Sequence, residues 1–391
     1  MPMAPDRDDR SRSFLAPVLL VLLGLVLSAL LAEGAARLAF RRSVADLSFQ
    51  ESDVYYYIDP TGARRHLPNS VGWERKWNDD GRVEVRINAL GFRGPEIAEE
   101  KPEGRFRILF LGDSIVFGSR VPEEETFTSR IGRALAKSSG GRIEVANAAV
   151  QAIGVADIDA IYRENGLRIE PDLVVLGLYL NDARPTLGFP DEVVYDDPLI
   201  RWLDHNEVLR RSYVFGLVYQ AWRQRLVRRE LLDSEAASRR FQWAEPYDAG
   251  EWIDDPAAFA ELVELARFDW GDAWNEASRA VVYDRVREMR ETASEHGAAF
   301  AVLGMPLQGQ VLATFDAPIL DEPQRALRDF CRAEHLACLD LLPILRAVLR
   351  RRQEPIFFDQ CHYTPYGNAV VAAAVLRFFR KQGLLASVPA G

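Results

Sequence analysis

The periodicity of hydrophobic and polar positions changes several times along the chain. From Phe14 to Ala32 runs a charge-free stretch of 19 residues, interrupted only by Pro17, Gly24 and Ser28. At ~1.5 Å per residue, a helix of that length nearly matches the ~30 Å hydrocarbon core of a bilayer. Residues 14–32 are therefore expected to be a single transmembrane anchor. A cleaved signal peptide is the alternative, with Ala32-Glu33-Gly34 as an imperfect cleavage site, although its apolar region usually spans only ~7–15 residues. Residues 43–104 then carry Tyr55-Tyr56-Tyr57, turn-forming Gly, Asn and Asp, and the alternating run Val83-Glu84-Val85-Arg86-Ile87. Period-two alternation between turns predicts strands, not helix.

From Arg107 onward, short apolar runs alternate with longer helix-period segments. That alternation is the signature of βα units that close a parallel sheet. Strands are expected at 108–112, 143–147, 173–178, 299–304 and 337–341, and helices at 124–137, 156–168, 276–295, 322–334 and 365–381. The fold class is thus α/β with a central parallel five-stranded sheet. The expected division is a tail and anchor at 1–42, a β-rich lead-in at 43–104 and the main domain at 105–391. Residues 185–275 break the alternation and hold six of the eight tryptophans, at 202, 222, 243, 252, 270 and 274. An insertion of this length exceeds a connection. It is expected to be mainly helical, a subdomain whose aromatics fill its own core. Residues 199–232, helical in period with arginines on the polar side, also suit a partner-binding or membrane-surface helix.

Composition narrows the function classes. With 27% charged and 48% hydrophobic residues the chain is globular, not disordered. Its 48 Lys and Arg against 58 Asp and Glu leave a net charge of −10, without the basic excess that nucleic-acid binding requires. Three cysteines with no Cys-x-x-Cys spacing suggest neither structural zinc nor a disulfide framework. Cys331 and Cys338 suit either a pair in an oxidising compartment or two buried thiols.

In open α/β sheets, ligands bind beyond the carboxyl ends of the strands. After the first strand comes Gly112-Asp113-Ser114, with the serine at the turn into a helix. After the third come Asn181 and Asp182. Near the C-terminus, Asp359-Gln360-Cys361-His362 places a carboxylate and an imidazole three residues apart on a loop. Each alone fits a turn, a cap or a structural histidine.

Together these segments resemble the SGNH hydrolases, the GDSL esterase/lipase family, and in particular their membrane-anchored bacterial members. The resemblance rests on Gly112-Asp113-Ser114-x-x-x-Gly118, on Asn181-Asp182 and on Asp359-x-x-His362, in that order, with Asn88-Ala-Leu-Gly-Phe-Arg-Gly94 as a lead-in. It implies a three-layer, flavodoxin-like α/β/α sandwich and a Ser114–His362–Asp359 triad. The implied oxyanion hole comprises the backbone N–H groups of Ser114 and Ala152 and the side-chain amide of Asn181. Two positions depart from the family pattern. Alanine, Ala152, stands where a glycine is usual, so Gly154 is a substitute donor if the register is shifted by two, and Tyr179 replaces the glycine before the Asn-Asp pair. Asp113 is expected to hold the turn.

The implied activity is serine-dependent hydrolysis or transfer of O-acyl groups, acetyl foremost, on an envelope carbohydrate or lipid. It needs neither metal nor organic cofactor. The alternatives are a non-catalytic module that binds glycans during polysaccharide modification, and a lipase or lysophospholipase. Arg7, Arg10 and Arg12 before the anchor are matched by Arg37, Arg41 and Arg42 after it, so charge gives no orientation. The resemblance implies a single pass of the inner membrane with the main domain outside the cytoplasm.

Overall fold

The computed structural model describes residues 9–40, 56–58, 64–78, 81–183, 212, 214, 215, 218, 222, 242–352 and 354–388. The expected helix at 199–232 lies outside these residues except at five positions. An N-terminal helix, α1 (Asp9–Phe40), contains the apolar segment Pro17–Ala35, with a mean hydropathy of 2.4 and none of it buried in the protein. By length and composition it is able to cross a membrane. At the end of this segment, the Glu33 carboxylate accepts hydrogen bonds from Ser212 Oγ at 2.9 Å and the Val214 N–H at 3.1 Å.

Two antiparallel pairs follow, β1 (Tyr56–Ile58) with β2 (Arg64–His66), and β3 (Ser70–Arg75) with β4 (Arg82–Ile87). In β4, Val83, Val85 and Ile87 are buried while Arg82, Glu84 and Arg86 are exposed, so the period-two alternation reports one covered face. Arg93 bridges Ile87 on one side and Asn147 on the other, which ties the β3–β4 hairpin to the main sheet.

The main sheet is parallel throughout: β5 (Phe106–Leu111), β6 (Ile143–Asn147), β7 (Leu173–Leu178), β8 (Ala299–Gly304) and β9 (Ala337–Asp340) run in the order β6-β5-β7-β8-β9. Every residue of β5 and β7 is buried. Strands covered on both faces read as uninterrupted apolar runs, which is why their positions were legible.

Among the described residues the sheet domain has the helices α2 (Ser114–Phe117), α3 (Phe127–Ser139), α4 (Val155–Ile161), α5 (Ala244–Ala249), α6 (Pro256–Leu265), α7 (Glu276–Glu295), α8 (Gln308–Leu312), α9 (Glu322–Ala333), α10 (Leu342–Leu349) and α11 (Pro365–Gln382). From β5 the chain steps outward to β6 and then back across β5 to β7. Right-handed crossovers in opposite directions put their helices on opposite faces. Hence α3, joined by α11, covers one face, with Phe110 of β5 between Phe127 and Phe379. On the other, α7 packs on β8 and α4, and its Tyr283 stacks on Phe330 of α9 with ring centroids 4.3 Å apart. The result is a three-layer sandwich.

Three local departures have identifiable causes. The helix expected from residue 124 starts at Phe127, because Thr126 accepts the Ser129 N–H as an N-cap and the glutamates before it form a 3-10 turn. The helix expected over 156–168 leaves α geometry after Ile161 for a π turn through Gly166. A Cβ on Gly166 would lie 2.7 Å from a methyl of Leu109, so close approach to β5 governs the chain there. Within the insertion, Trp243, Trp252 and Trp270 are buried, with Trp243 edge-on to Trp270 at 5.7 Å. They are continuous with the core of the sheet, not a core of their own. Cys331 and Cys338 form a disulfide between α9 and β9.

Candidate active site

The path of the chain reverses between β5 and β7, the place where open α/β sheets bind ligands, beyond the carboxyl ends of their strands. Gly112 leaves β5 with φ 154°. A Cβ there would meet Val116 at 2.3 Å, so only glycine permits this exit. Asp113 is buried and accepts the Ile115 N–H at 2.9 Å, capping α2 and holding the turn. Ser114 is thereby the first residue of α2, partly exposed, in the turn whose N–H groups have no helical acceptor.

His362 arrives from a loop 248 residues later. Its Nε2 lies 2.8 Å from Ser114 Oγ and its Nδ1 2.7 Å from Asp359 Oδ2. The other carboxylate oxygen, Oδ1, accepts the backbone N–H groups of Cys361 at 2.9 Å and His362 at 2.7 Å. Both carboxylate oxygens are therefore held, and the imidazole is oriented with Nδ1–H toward Asp359 and Nε2 free to accept from the serine hydroxyl. Phe358 stacks on the imidazole at 12° with centroids 5.6 Å apart. Burial, the largest single influence, opposes charging of His362, but the Asp359 carboxylate and, after it, Cys361 together outweigh it and hold the imidazole well above its ordinary 6.5. Asp359 behaves reciprocally: burial raises its pKa, yet His362 and the two backbone donors leave it lowered. Cys361 is buried and its thiol is pushed up to about 11, chiefly by burial, so it is neutral at physiological pH.

The remaining expected site residues converge through backbone hydrogen bonds. The segment after β6 is tied to β5 by Ala148 N–H to Phe110 O at 2.9 Å and Val150 N–H to Gly112 O at 3.2 Å. It is tied to the exit of β7 by Val155 N–H to Asp182 O at 2.8 Å. Ala152 thus stands on a turn between the two strand ends, at φ 56°, the left-handed region that favours glycine. Gly154 is buried and extended, φ −106°, and caps α4. Asp182 closes the β7 turn by accepting the Tyr179 N–H at 2.7 Å. The partly exposed amide of Asn181 makes no hydrogen bond among the described residues, and its Oδ1 is buried. Buried polar groups are normally satisfied, and exceptions gather at functional sites. Tyr179 lines an apolar cavity with Leu178, Met305 and Leu327.

Sequence reasoning missed the wall contributed by the lead-in. Buried Glu74 of β3 accepts hydrogen bonds from Gln151, beside Ala152, and from the Arg120 N–H at 2.9 Å. Trp77 and the Arg120 guanidinium pack on the Phe358 ring at 6.2 Å and 5.2 Å. No motif spacing connects these residues. The end of the insertion also reaches the site: Tyr247 OH donates to Gln308 Oε1 at 3.0 Å, and the Gln308 N–H to Gln360 O at 2.8 Å, within the histidine loop.

No family model matches the sequence, and no curated protein does. Several solved structures are similar in the course of the chain. A catalytic mutant of the acetylxylan esterase Axe2 from Geobacillus stearothermophilus is 14% identical, with 72% of this chain and 96% of that chain covered at a TM-score of 0.39. For LAE5, an alpha/beta hydrolase enzyme from the metagenome of Lake Arreo, Spain, the values are 12%, 75%, 99% and 0.40. A lipolytic protein of the G-D-S-L family from Desulfitobacterium hafniense gives 11%, 70%, 99% and 0.36.

Proposed function

We propose that this protein is a membrane-anchored serine esterase of SGNH type that hydrolyses or transfers O-acyl groups, acetyl foremost, on an envelope carbohydrate or lipid. The observation that carries this reading is the continuous chain Ser114 Oγ–His362 Nε2 and His362 Nδ1–Asp359 Oδ2, at 2.8 Å and 2.7 Å. Those contacts are what nucleophilic acyl transfer requires.

In this mechanism Ser114 Oγ attacks the ester carbonyl while its proton passes to His362 Nε2. Asp359 keeps Nδ1 protonated and stabilises the imidazolium. The tetrahedral oxyanion is met by the backbone N–H of Ser114, by that of Ala152 and by the Asn181 amide, which has no partner among the described residues and so suits a donor kept for the transition state. His362 then protonates the leaving alcohol, and water or an acceptor hydroxyl attacks the acyl-enzyme by the reverse path. Loss of one such donor typically costs ~10²–10³ in turnover. The alanine at 152 retains its N–H, so its role depends on the backbone turn, not on the side chain.

The topology has its own support. The Cys331–Cys338 disulfide suits an oxidising compartment, and an uncleaved α1 would then span the inner membrane with the sheet domain outside the cytoplasm. The test is labelling of the full chain with a fluorophosphonate, beside hydrolysis of a panel of acyl esters. Labelling confined to Ser114, with highest turnover on acetyl esters, is expected. Failure of Ser114 to label in a folded protein would overturn the enzyme reading in favour of a glycan-binding module.

A further inference from the structure

The ester chemistry leaves one group of this site unused. Cys361 is the only cysteine outside the disulfide, and its buried Sγ is held 3.4 Å from His362 Nδ1. One ligand atom each from Asp359, Cys361 and His362 lie within 4.8 Å of one another. We propose that these three side chains form a binding site for a thiophilic divalent cation, zinc above all, and that its occupancy switches the serine nucleophile off.

Ligand spacing and softness both favour such an ion. With Zn–S ~2.3 Å, Zn–N ~2.0–2.1 Å and Zn–O ~2.0–2.2 Å, tetrahedral geometry sets sulfur and nitrogen ligands about 3.5 Å apart and nitrogen and oxygen about 3.3 Å apart. The sulfur–nitrogen pair already has that separation. The Nδ1–Oδ2 pair, at 2.7 Å, must open by about 0.6 Å, a shift of the 28%-exposed Asp359 side chain against the two backbone N–H groups that hold its other oxygen. His362 is 19% exposed, so the ligand set is open to solvent, and a water would complete the tetrahedron. Thiolate with imidazole selects zinc over magnesium or calcium, which prefer oxygen ligands.

Binding would form bonds from the metal to Sγ, Nδ1 and Oδ2, and break the Nδ1–H to Oδ2 hydrogen bond. The thiol proton leaves to solvent, and the imidazole proton moves through water from Nδ1 to Nε2. Nε2 then carries a hydrogen toward Ser114 and no longer has a lone pair to accept one. The base is lost although every side chain of the triad is present. This inhibitory half rests on the esterase reading; the binding half does not.

The test uses the full chain in detergent with Co²⁺ as the spectroscopic probe and Zn²⁺ as the inhibitor. A thiolate-to-cobalt charge-transfer band is expected in the wild type and in Ser114→Ala, and is expected to vanish in Cys361→Ser. Zinc should inhibit the wild type, reversibly by EDTA. Cys361→Ser, active without metal, should need at least ~10–100-fold more zinc, the cost already typical of losing a partner outside the ligand set; Cys361→Ala serves if the serine variant misfolds. Equal zinc sensitivity of wild type and variant, or no cobalt band in the folded wild type, would overturn the proposal. An inactive wild type that still shows the band would sink the esterase reading and leave the cation site standing.

Discussion

Glu74, on the hairpin that precedes the sheet domain, accepts a hydrogen bond from Gln151, the residue before Ala152 in the turn that joins the ends of β5 and β7. Gln151 Nε2 also donates to Ser119 Oγ at 2.6 Å, and the second oxygen of Glu74 takes the Arg120 N–H. All three side chains are buried. Glu74→Ala would leave the Arg120 N–H without this acceptor, at a cost of about 1–3 kcal/mol, and would loosen the turn that carries Ala152, a donor in the proposed oxyanion hole. The expected result is a lower Tm and a kcat that falls more than KM changes. Wild-type kcat in the folded variant would remove the hairpin from the site.

Ala152 occupies left-handed backbone, where a Cβ costs roughly 1–2 kcal/mol and a glycine costs little beyond its unfolded-state entropy. Ala152→Gly should therefore be neutral to stabilising, with activity kept. Ala152→Val should destabilise by ~1 kcal/mol or more, since a β-branched side chain fits this region worst, and turnover should fall with it. Thermal unfolding and ester hydrolysis of the pair decide the point; a fully active, wild-type-stable valine variant would contradict the strained turn.

Removal of Ser114 or His362 by alanine should each lower turnover of a short p-nitrophenyl ester by ~10³–10⁶, and the double variant should be little worse, because the members act as a unit. Asp359→Asn should also be damaging, by favouring the wrong imidazole tautomer. Cys361→Ser should keep most activity, since in the proposed mechanism the serine attacks and the thiol does not. Single-turnover and steady-state rates on purified full chain provide the measurement.

The pH profile follows from the raised His362. Only the neutral imidazole accepts the serine proton, so kcat/KM should rise with pH along a limb whose midpoint lies above 6.5. Asp359→Asn removes the main cause and should move that midpoint down. Stability has the opposite sign for this group: a folded-state value above the unfolded one contributes stability that is full below about 6.5 and lost as pH rises through the folded value. Asp359, lowered, contributes above its unfolded 3.8 and loses that contribution as pH falls. A wild-type midpoint below 6.5 would contradict the pairing.

The disulfide and the anchor make a joint prediction. Cys331 and Cys338 are seven positions apart, and closing so short a loop is worth about 2.5 kcal/mol in the chain-entropy model. Reduction should lower the Tm accordingly. In membranes isolated under alkylating conditions, both cysteines should resist modification until reductant is added, and carbonate at high pH should leave the uncleaved chain in the pellet. Ready alkylation of both without reductant would place them in a reducing compartment.

Much of the architecture was written in the local pattern. Strands β5 to β9 fall within two residues of their expected positions, because short apolar runs bounded by polar helices, uninterrupted in β5 and β7 where both faces are covered, are a property of neighbours in sequence. The residues Ser114, Asn181, Asp359 and His362 were legible for a related reason, standing just past strand ends or beside a helix cap where polar side chains interrupt those runs. What tertiary structure alone decided depends on contacts between distant segments. Sheet order brings Ser114 to His362 across 248 residues, a pairing that no local period encodes. The left-handed turn at Ala152 arises from hydrogen bonds to both flanking strands, and local propensity argues against it. Glu74, Trp77 and Arg120 form their wall where the lead-in hairpin meets the sheet domain, fastened by the Arg93 bridges and by hydrogen bonds to Arg120 and Gln151. Cys331 and Cys338, equally suited by sequence to be thiols or partners, pair because α9 returns antiparallel to the strand it precedes, which brings their Cα atoms to 6.2 Å.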